Sequence, residues 1–292
     1  MTEAKKPITV LILGAKGQVG QALLASKPAD INVIALSRKA LDITNVPKLG
    51  QCLQALTPQI IINAAGFTQV ELAEQERELA TSINGAAVSE LARLAKQQGA
   101  RLIHLSSDYV FDGNKHSPYL CTDSPNPINH YGQTKRQGER GILAHNDTKL
   151  TIVRTSWLYG GQGRHFVDSM LNLMRTKETL SVVADQYGSP TYVLGLANFI
   201  WSLRHVKSFS PIYHWSDSGV CSWFEFAVEI QRQALLLGIV KQPIPIIPIS
   251  SECYSSIVNR PAYSALACDD SIEICLVKPW QTQLTQYLLN KT

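Results

Sequence analysis

No stretch of the sequence approaches the roughly 20 consecutive apolar residues that a membrane span requires, so an integral membrane role is not expected. There is no Cys-x-x-Cys pair; Cys52, Cys121, Cys221, Cys253, Cys268 and Cys275 stand far apart. Scattered single thiols fit a reducing cytosol better than a disulfide scaffold, and zinc ligation needs closer spacing. A basic stripe is also missing: the formal net charge is a mild +4, spread along the chain, which argues against a nucleic-acid partner. Neither an internal repeat nor a low-complexity linker is present. The apolar run at Ile8–Leu13 is too short for the core of a secretory signal and runs into a glycine motif. A cytoplasmic location is therefore expected.

What is present is the composition of an ordinary globular protein. Of 292 residues, 45% are hydrophobic and 17% charged, enough to bury a large core in one large domain or two modest ones. Short, largely apolar runs alternate with helical patterns through the first half. Residues 8–13, 32–36, 59–63, 101–105 and 150–154 read as strands. Residues 17–26, 47–56, 81–98 and 131–144 read as helices between them. That alternation predicts a Rossmann-type, doubly wound parallel sheet with helices on both faces. After about Trp157 the rhythm loosens. Residues 166–174, 193–204 and 223–237 look helical, and 242–250, with three prolines, can only be extended. The division expected is a dinucleotide-binding domain over 1–157, to which 193–215 return, and a smaller substrate-binding lobe over 158–292.

The glycine motif Gly14-Ala-Lys16-Gly17-Gln18-Val19-Gly20 lies between the first strand and the first helix. Glycine lets backbone approach a pyrophosphate, and a helix N-terminus offers free N–H groups and the positive end of its dipole. The spacing, G-x-x-G-x-x-G, is not the G-x-G-x-x-G form, so its position carries more weight than its letters. An acid ending the second strand would select NAD through the ribose. Instead that end reads Leu36-Ser37-Arg38-Lys39, two cations where a 2′-phosphate would lie. The expectation is NADPH, with NADH as the alternative and Arg38 as the phosphate contact. Asp42 follows and can accept from an adenine amine; Asn63-Ala64-Ala65-Gly66 leaves room at the end of the third strand.

Tyr131 and Lys135 sit four apart at a helix start and so share a face. An ammonium beside a phenol favours the phenolate, which would let the tyrosine exchange a proton. Ser106 and Ser107 follow the fourth strand, where a hydroxyl can hold a substrate carbonyl.

This order of motifs resembles the extended branch of the short-chain dehydrogenase/reductase superfamily. The finer motifs resemble its dTDP-4-dehydrorhamnose reductases. They are Gly17-Gln-Val-Gly20, Asn63-Ala-Ala, Val70-Glu-Leu-Ala-Glu74 and Leu105-Ser-Ser-Asp-Tyr-Val-Phe-Asp-Gly113, then Pro127 and Tyr131-Gly-x-x-Lys135. Later come Arg154-Thr-Ser-Trp157-Leu-Tyr-Gly160, Asp185-Gln-x-Gly-x-Pro-Thr191 and Arg260-Pro-x-x-Ser264. The resemblance implies reduction of the C4 ketone of a dTDP-linked 6-deoxy sugar, with Ser107, Tyr131 and Lys135 catalytic. It implies cofactor contacts from Gly14, Lys16, Gly17, Gln18, Val19, Gly20, Ser37, Arg38, Asp42, Ile43, Ala64, Ala65 and Phe67, besides Tyr131 and Lys135. Val70, Ser107, Asp108, Tyr109, Trp157 and Arg260 would line the sugar-nucleotide pocket.

Two departures from the pattern stand out. His165 replaces the usual Asn before Phe166, and Ala22 replaces a Glu that holds a magnesium ion at a dimer interface in some members. No metal is therefore expected, and the chain would act as a monomer or homodimer. Two other readings stay open: another sugar-nucleotide reductase or epimerase of the superfamily, and a non-catalytic regulatory subunit on the same fold.

Overall fold

The largely apolar runs of the first half become a sheet that is covered on both faces. A computed structural model describes residues 7–254 and 256–291. Its main sheet has six strands, five of which follow the chain as β1 (Ile8–Leu13), β2 (Ile31–Leu36), β3 (Ile60–Asn63), β4 (Arg101–Ser107) and β5 (Leu150–Thr155). The sixth strand, Ile212–Trp215, pairs with β5, and every pairing in the sheet is parallel. From edge to edge the order is the sixth strand, β5, β4, β3, β1, β2. The winding reverses between β1 and β3, so a crevice opens beyond their carboxyl ends.

Side chains alternate across the sheet and build a core on each face. Val10, Ile12, Ile62, Ile103 and Val153 face the helices Gln18–Ala25 and Val193–Ser202. Leu11, Leu13, Ile61, Leu102 and Ile152 face the helices Val46–Leu56, Ala87–Gln97 and His130–Leu143. A predominantly apolar run is what a strand buried on both faces requires.

The helix expected over 81–98 is interrupted. Arg77–Thr81 passes into a π-helical turn, Ser82–Ala86, before Ala87–Gln97 continues. The Asn84 side chain in that turn grips both polar groups of the Phe67 backbone, at 2.8 and 3.0 Å, and also bonds Thr134. Such single wide turns occur where a helix must present a group to a site. β4 also runs two residues beyond its expected end, because Ser106 and Ser107 still pair with Arg154 and Thr155.

Beyond β5 the strands are short and pair across long separations. Leu158–Tyr159 pairs with Thr191–Tyr192, Tyr187–Gly188 with Cys221–Ser222, and Leu180–Val183 with Ile246–Ile249 inside the proline-rich segment. The helices Phe166–Thr176, Trp223–Leu236 and Trp280–Leu289 complete this half.

Candidate active site

The crevice at the strand reversal holds two adjoining cavities, of about 700 and 270 Å³, which share Gly17, Ala64, Gly66 and Thr68 in their walls. The smaller is lined by Gly14, Lys16, Arg38, Asp42, Ile43, Ala65 and Phe67, all residues the sequence singles out. Gly14 lies at φ +80° and packs on the end of β3 so closely that a Cβ would sit 2.6 Å from the Ala64 and Ala65 backbone. Only glycine serves there. The helix Gln18–Ala25 starts at Gly17 with no side chain capping it, and this N-terminus opens into both cavities. Its unsatisfied N–H groups, with Lys16 and an exposed Arg38 nearby, suit the phosphates of a dinucleotide.

Two expected cofactor contacts, Gly20 and Ser37, fall outside both cavities, and a third, Asp42, is engaged by its neighbours. Gly20 lines neither cavity. A Cβ there would lie 2.4 Å from the Gly14 carbonyl oxygen, so its role is to let the helix close on the preceding turn. Ser37 also lines neither; its carbonyl closes a turn by accepting from the Ala40 and Leu41 N–H groups. Asp42 does face the smaller cavity, but one carboxylate oxygen accepts from the Thr44 N–H and hydroxyl, and the other pairs with Arg38 at 3.5 Å. The Thr44 bonds hold its pKa below the usual carboxylate range.

Val70, Ser107, Asp108, Tyr109, Tyr131, Trp157 and Arg260 come together in the walls of the larger cavity, with Gln18 and Val19 at its junction with the smaller. Ser107 ends β4; its hydroxyl donates to Asp108 at 2.9 Å and accepts from the Tyr109 N–H at 3.2 Å. Burial pushes the Asp108 carboxyl up to about 6, against the pull of its hydroxyl partners Ser264 and Ser107. Asn129 caps the helix His130–Leu143 by accepting from Gly132, which places Tyr131 in the first turn. The Tyr131 ring meets Tyr109 edge-on, with centroids 5.7 Å apart.

The ionisation expected of Tyr131 is reversed. Burial pushes its phenol up to about 12, and the only pull downward comes from the Ser107 hydroxyl. Lys135 does not offset this, because its ammonium donates to the Leu105 carbonyl oxygen at 2.7 Å on the inner side of the helix. Its own pKa falls to about 8 through burial. In this arrangement desolvation of the phenol outweighs the Ser107 hydrogen bond and sets its protonation state.

Trp157 adopts a left-handed backbone conformation, φ 46°, rare for a bulky residue. It is held by a parallel stack on Trp223, with centroids 3.4 Å apart. Trp223 lines the same cavity but was not anticipated. The available signal was Ser222-Trp-Phe-Glu225, whose Ser and Glu form a full capping box that starts the helix at this tryptophan. Arg260 pairs with Glu71, next to Val70, and so ties the late loop to the cavity wall. His165 caps the helix Phe166–Thr176 by accepting from Asp168, and its other nitrogen meets the Tyr287 hydroxyl at 3.2 Å. The replacement thus keeps the capping function that an Asn would have. Among the described residues no group of three or more His, Cys, Asp or Glu is placed to hold a metal ion.

Comparison with known proteins agrees with this geometry. The model of the RmlD substrate binding domain family matches residues 8–292. The spore coat polysaccharide biosynthesis protein SpsK of Bacillus subtilis is 39% identical, over 97% of this chain and 98% of that one. The dTDP-4-keto-6-deoxy-D-glucose reductase of Streptomyces niveus is 36% identical, over 94% and 95%. The crystal structure of dTDP-4-dehydrorhamnose reductase from Bacillus anthracis in complex with NADP superimposes with a TM-score of 0.90, at 38% identity over 97% of this chain and 99% of that one. The chain belongs to the dTDP-4-dehydrorhamnose reductase family.

Proposed function

We propose that this protein uses NADPH to reduce the C4 ketone of dTDP-4-dehydro-6-deoxy-L-mannose, giving dTDP-L-rhamnose for surface polysaccharide such as O-antigen. The observation that carries this reading is the position of Ser107 and Tyr131. Both lie in the cleft wall, adjacent to the cavity that the uncapped helix N-terminus and Arg38 make suitable for a phosphorylated dinucleotide. NADH is the weaker alternative donor.

When bound, the nicotinamide cofactor supplies the hydride to C4. The protein supplies the proton and the orientation. The Ser107 hydroxyl turns from Asp108 to the carbonyl oxygen, and Tyr131 transfers its phenolic proton to that oxygen as the alkoxide develops. A phenol with its pKa raised to about 12 is fully protonated at neutral pH, the form a reductase needs in its resting state. The Lys135 ammonium stabilises the tyrosinate left behind and meets the nicotinamide ribose. Val70, Asp108, Tyr109 and Trp157 surround the sugar. Arg260 binds the diphosphate, and a further cavity of about 370 Å³ that it shares with Arg164 and Trp223 leaves room for the nucleoside. Residues 1–157 and 193–215 act as the cofactor domain and 158–292 mainly as the substrate lobe. No helix among the described residues is long and apolar enough to cross a membrane. A cytoplasmic monomer or homodimer, with no metal, completes the reading.

The test is NADPH oxidation by the purified protein, with the 4-keto sugar made in situ from dTDP-glucose by a dehydratase, with and without the C3/C5 epimerase. Consumption that requires the epimerase and yields dTDP-L-rhamnose supports the proposal. A second reading is favoured by the Streptomyces relative, whose name specifies the unepimerised ketone: consumption without the epimerase would establish it. No consumption, by folded protein that binds NADPH, would favour a regulatory subunit.

A further inference from the structure

The helix that carries Tyr131 and Lys135 is fastened to the sheet by one buried carboxylate. Glu139 lies four residues beyond Lys135, on the same helix face, and is fully buried. Arg154 of β5 grips it with two charge-assisted bonds, Nε to Oε1 at 2.7 Å and Nη2 to Oε2 at 2.8 Å. Ser106, the residue before Ser107 in β4, donates to the same carboxylate at 2.7 Å, and Arg136 adds a bond at 3.2 Å from the helix itself. Arg154 is also fully buried, bonded to His214 of the sixth strand at 3.3 Å and placed over the Phe111 ring. A bidentate buried pair of this kind is costly to desolvate and rarely the cheapest way to stabilise a core. Its location calls for another explanation.

We propose that Glu139 is a positioning residue for the reaction: it locks the Tyr131–Lys135 helix to the strand end bearing Ser107 and supplies the negative charge that faces the Lys135 ammonium. The proposal rests on the reductase reading above. Lys135 is otherwise surrounded by groups that do not compensate its charge. From β4 come the Leu105 carbonyl and His104, a buried imidazole that the nearby ammonium and its own burial keep neutral. From the loop after β3 comes the Gly66 backbone. On its own helix Tyr131 is a protonated phenol. On the far side of the carboxylate, His214 of the sixth strand, bonded to Arg154, is also neutral, pushed down to about 3 by burial and by Arg154. Glu139 is the one group that raises the Lys135 pKa against the pull of burial.

The direct test follows the ¹³Cε resonance of Lys135 against pH in the full-length protein, assigned by its loss in Lys135→Met. Glu139→Gln keeps the shape and removes the charge, and lowers the titration midpoint by about one unit. Because this variant leaves Arg154 buried without a partner, a second, Glu139→Gln/Arg154→Met, removes both charges together. It keeps the lowered midpoint and decides the matter should the single variant fail to fold. A wild-type midpoint in the double variant would overturn the proposal, since the single-variant shift would then come from the stranded Arg154. The alkaline limb of kcat/KM for NADPH oxidation moves to lower pH by the same amount. An inactive wild type whose Lys135 midpoint still falls on substitution would contradict the reductase reading while leaving this charge assignment standing.

Discussion

At the scale of the residue, burial decides which groups hold protons in this protein. Tyr131 is kept as a donor because desolvation outweighs the Ser107 hydroxyl. Asp217 shows the same force away from the cleft. It is buried, with one oxygen accepting from the Tyr192 N–H at 2.8 Å, and burial pushes its carboxyl from 3.8 up to about 7. A raised folded-state pKa means that ionising Asp217 opposes folding: the penalty is absent below about 4, grows through the interval, and is complete above about 7. Asp217→Asn keeps the acceptor for Tyr192 and offers a donor to Gln283, whose side chain lies beside it and whose Oε1 has no hydrogen-bond partner. The variant is expected to be more stable at pH 8 by on the order of 2–4 kcal/mol, with the gain vanishing near pH 4. Urea unfolding at the two pH values checks this, and an equal effect at both would contradict the assignment. Arg38, exposed and paired with Asp42, makes a different kind of statement. Arg38→Ala is expected to weaken NADPH binding roughly tenfold and leave NADH nearly unchanged, since only the former has a 2′-phosphate. Equal losses in a fluorescence titration would remove Arg38 from the phosphate site.

At the scale of the element, the glycine motif divides into a turn that opens the site and a contact that closes the packing. Gly20→Ala puts a methyl group against the Gly14 carbonyl and the Ala15 backbone, neither of which can rotate away. A cost of about 2 kcal/mol in unfolding free energy is expected, with weaker NADPH binding because the helix N-terminus is pushed out of line. Unchanged stability would show that the turn yields more easily than its geometry implies. Sequence reasoning located this turn and the five strands it belongs with because each strand is a short apolar run bounded by glycine or polar residues. It assigned Gly20 to the cofactor because backbone close-packing and ligand contact leave the same trace, a missing side chain. It did not see the π turn at Ser82–Ala86, since the reason for that turn is Asn84 reaching a backbone 17 residues away. Nor did it see Leu180–Val183 pair with Ile246–Ile249, a register that depends on contacts across more than 60 residues.

At the scale of the whole molecule, the sheet and its helices place Ser107 and Tyr131 on one wall of the cleft, and the later chain builds the far wall. Trp157, strained and stacked on Trp223, stands where the two meet. The proposed trio of Ser107, Tyr131 and Lys135 was legible because its spacing follows from the fold: a strand end, then a helix start, on the carboxyl side of one sheet. On the opposite wall Trp157 and Arg260 were legible only through resemblance and Trp223 not at all, because these residues reach the cleft from loops and a helix cap that have no period to read. Glu139 and Arg154 lie on the regular part, yet their partnership spans a helix and a strand and so leaves no local pattern.

The central claim is that Tyr131 supplies the proton for ketone reduction in a protein already folded to hold its cofactor. The measurement that tests it most directly is NADPH oxidation by Tyr131→Phe beside wild type, at saturating 4-keto sugar, with NADPH affinity measured on both. Loss of at least 10²-fold in kcat with NADPH affinity within about twofold of wild type is the expected result. Turnover retained in the variant would contradict the account.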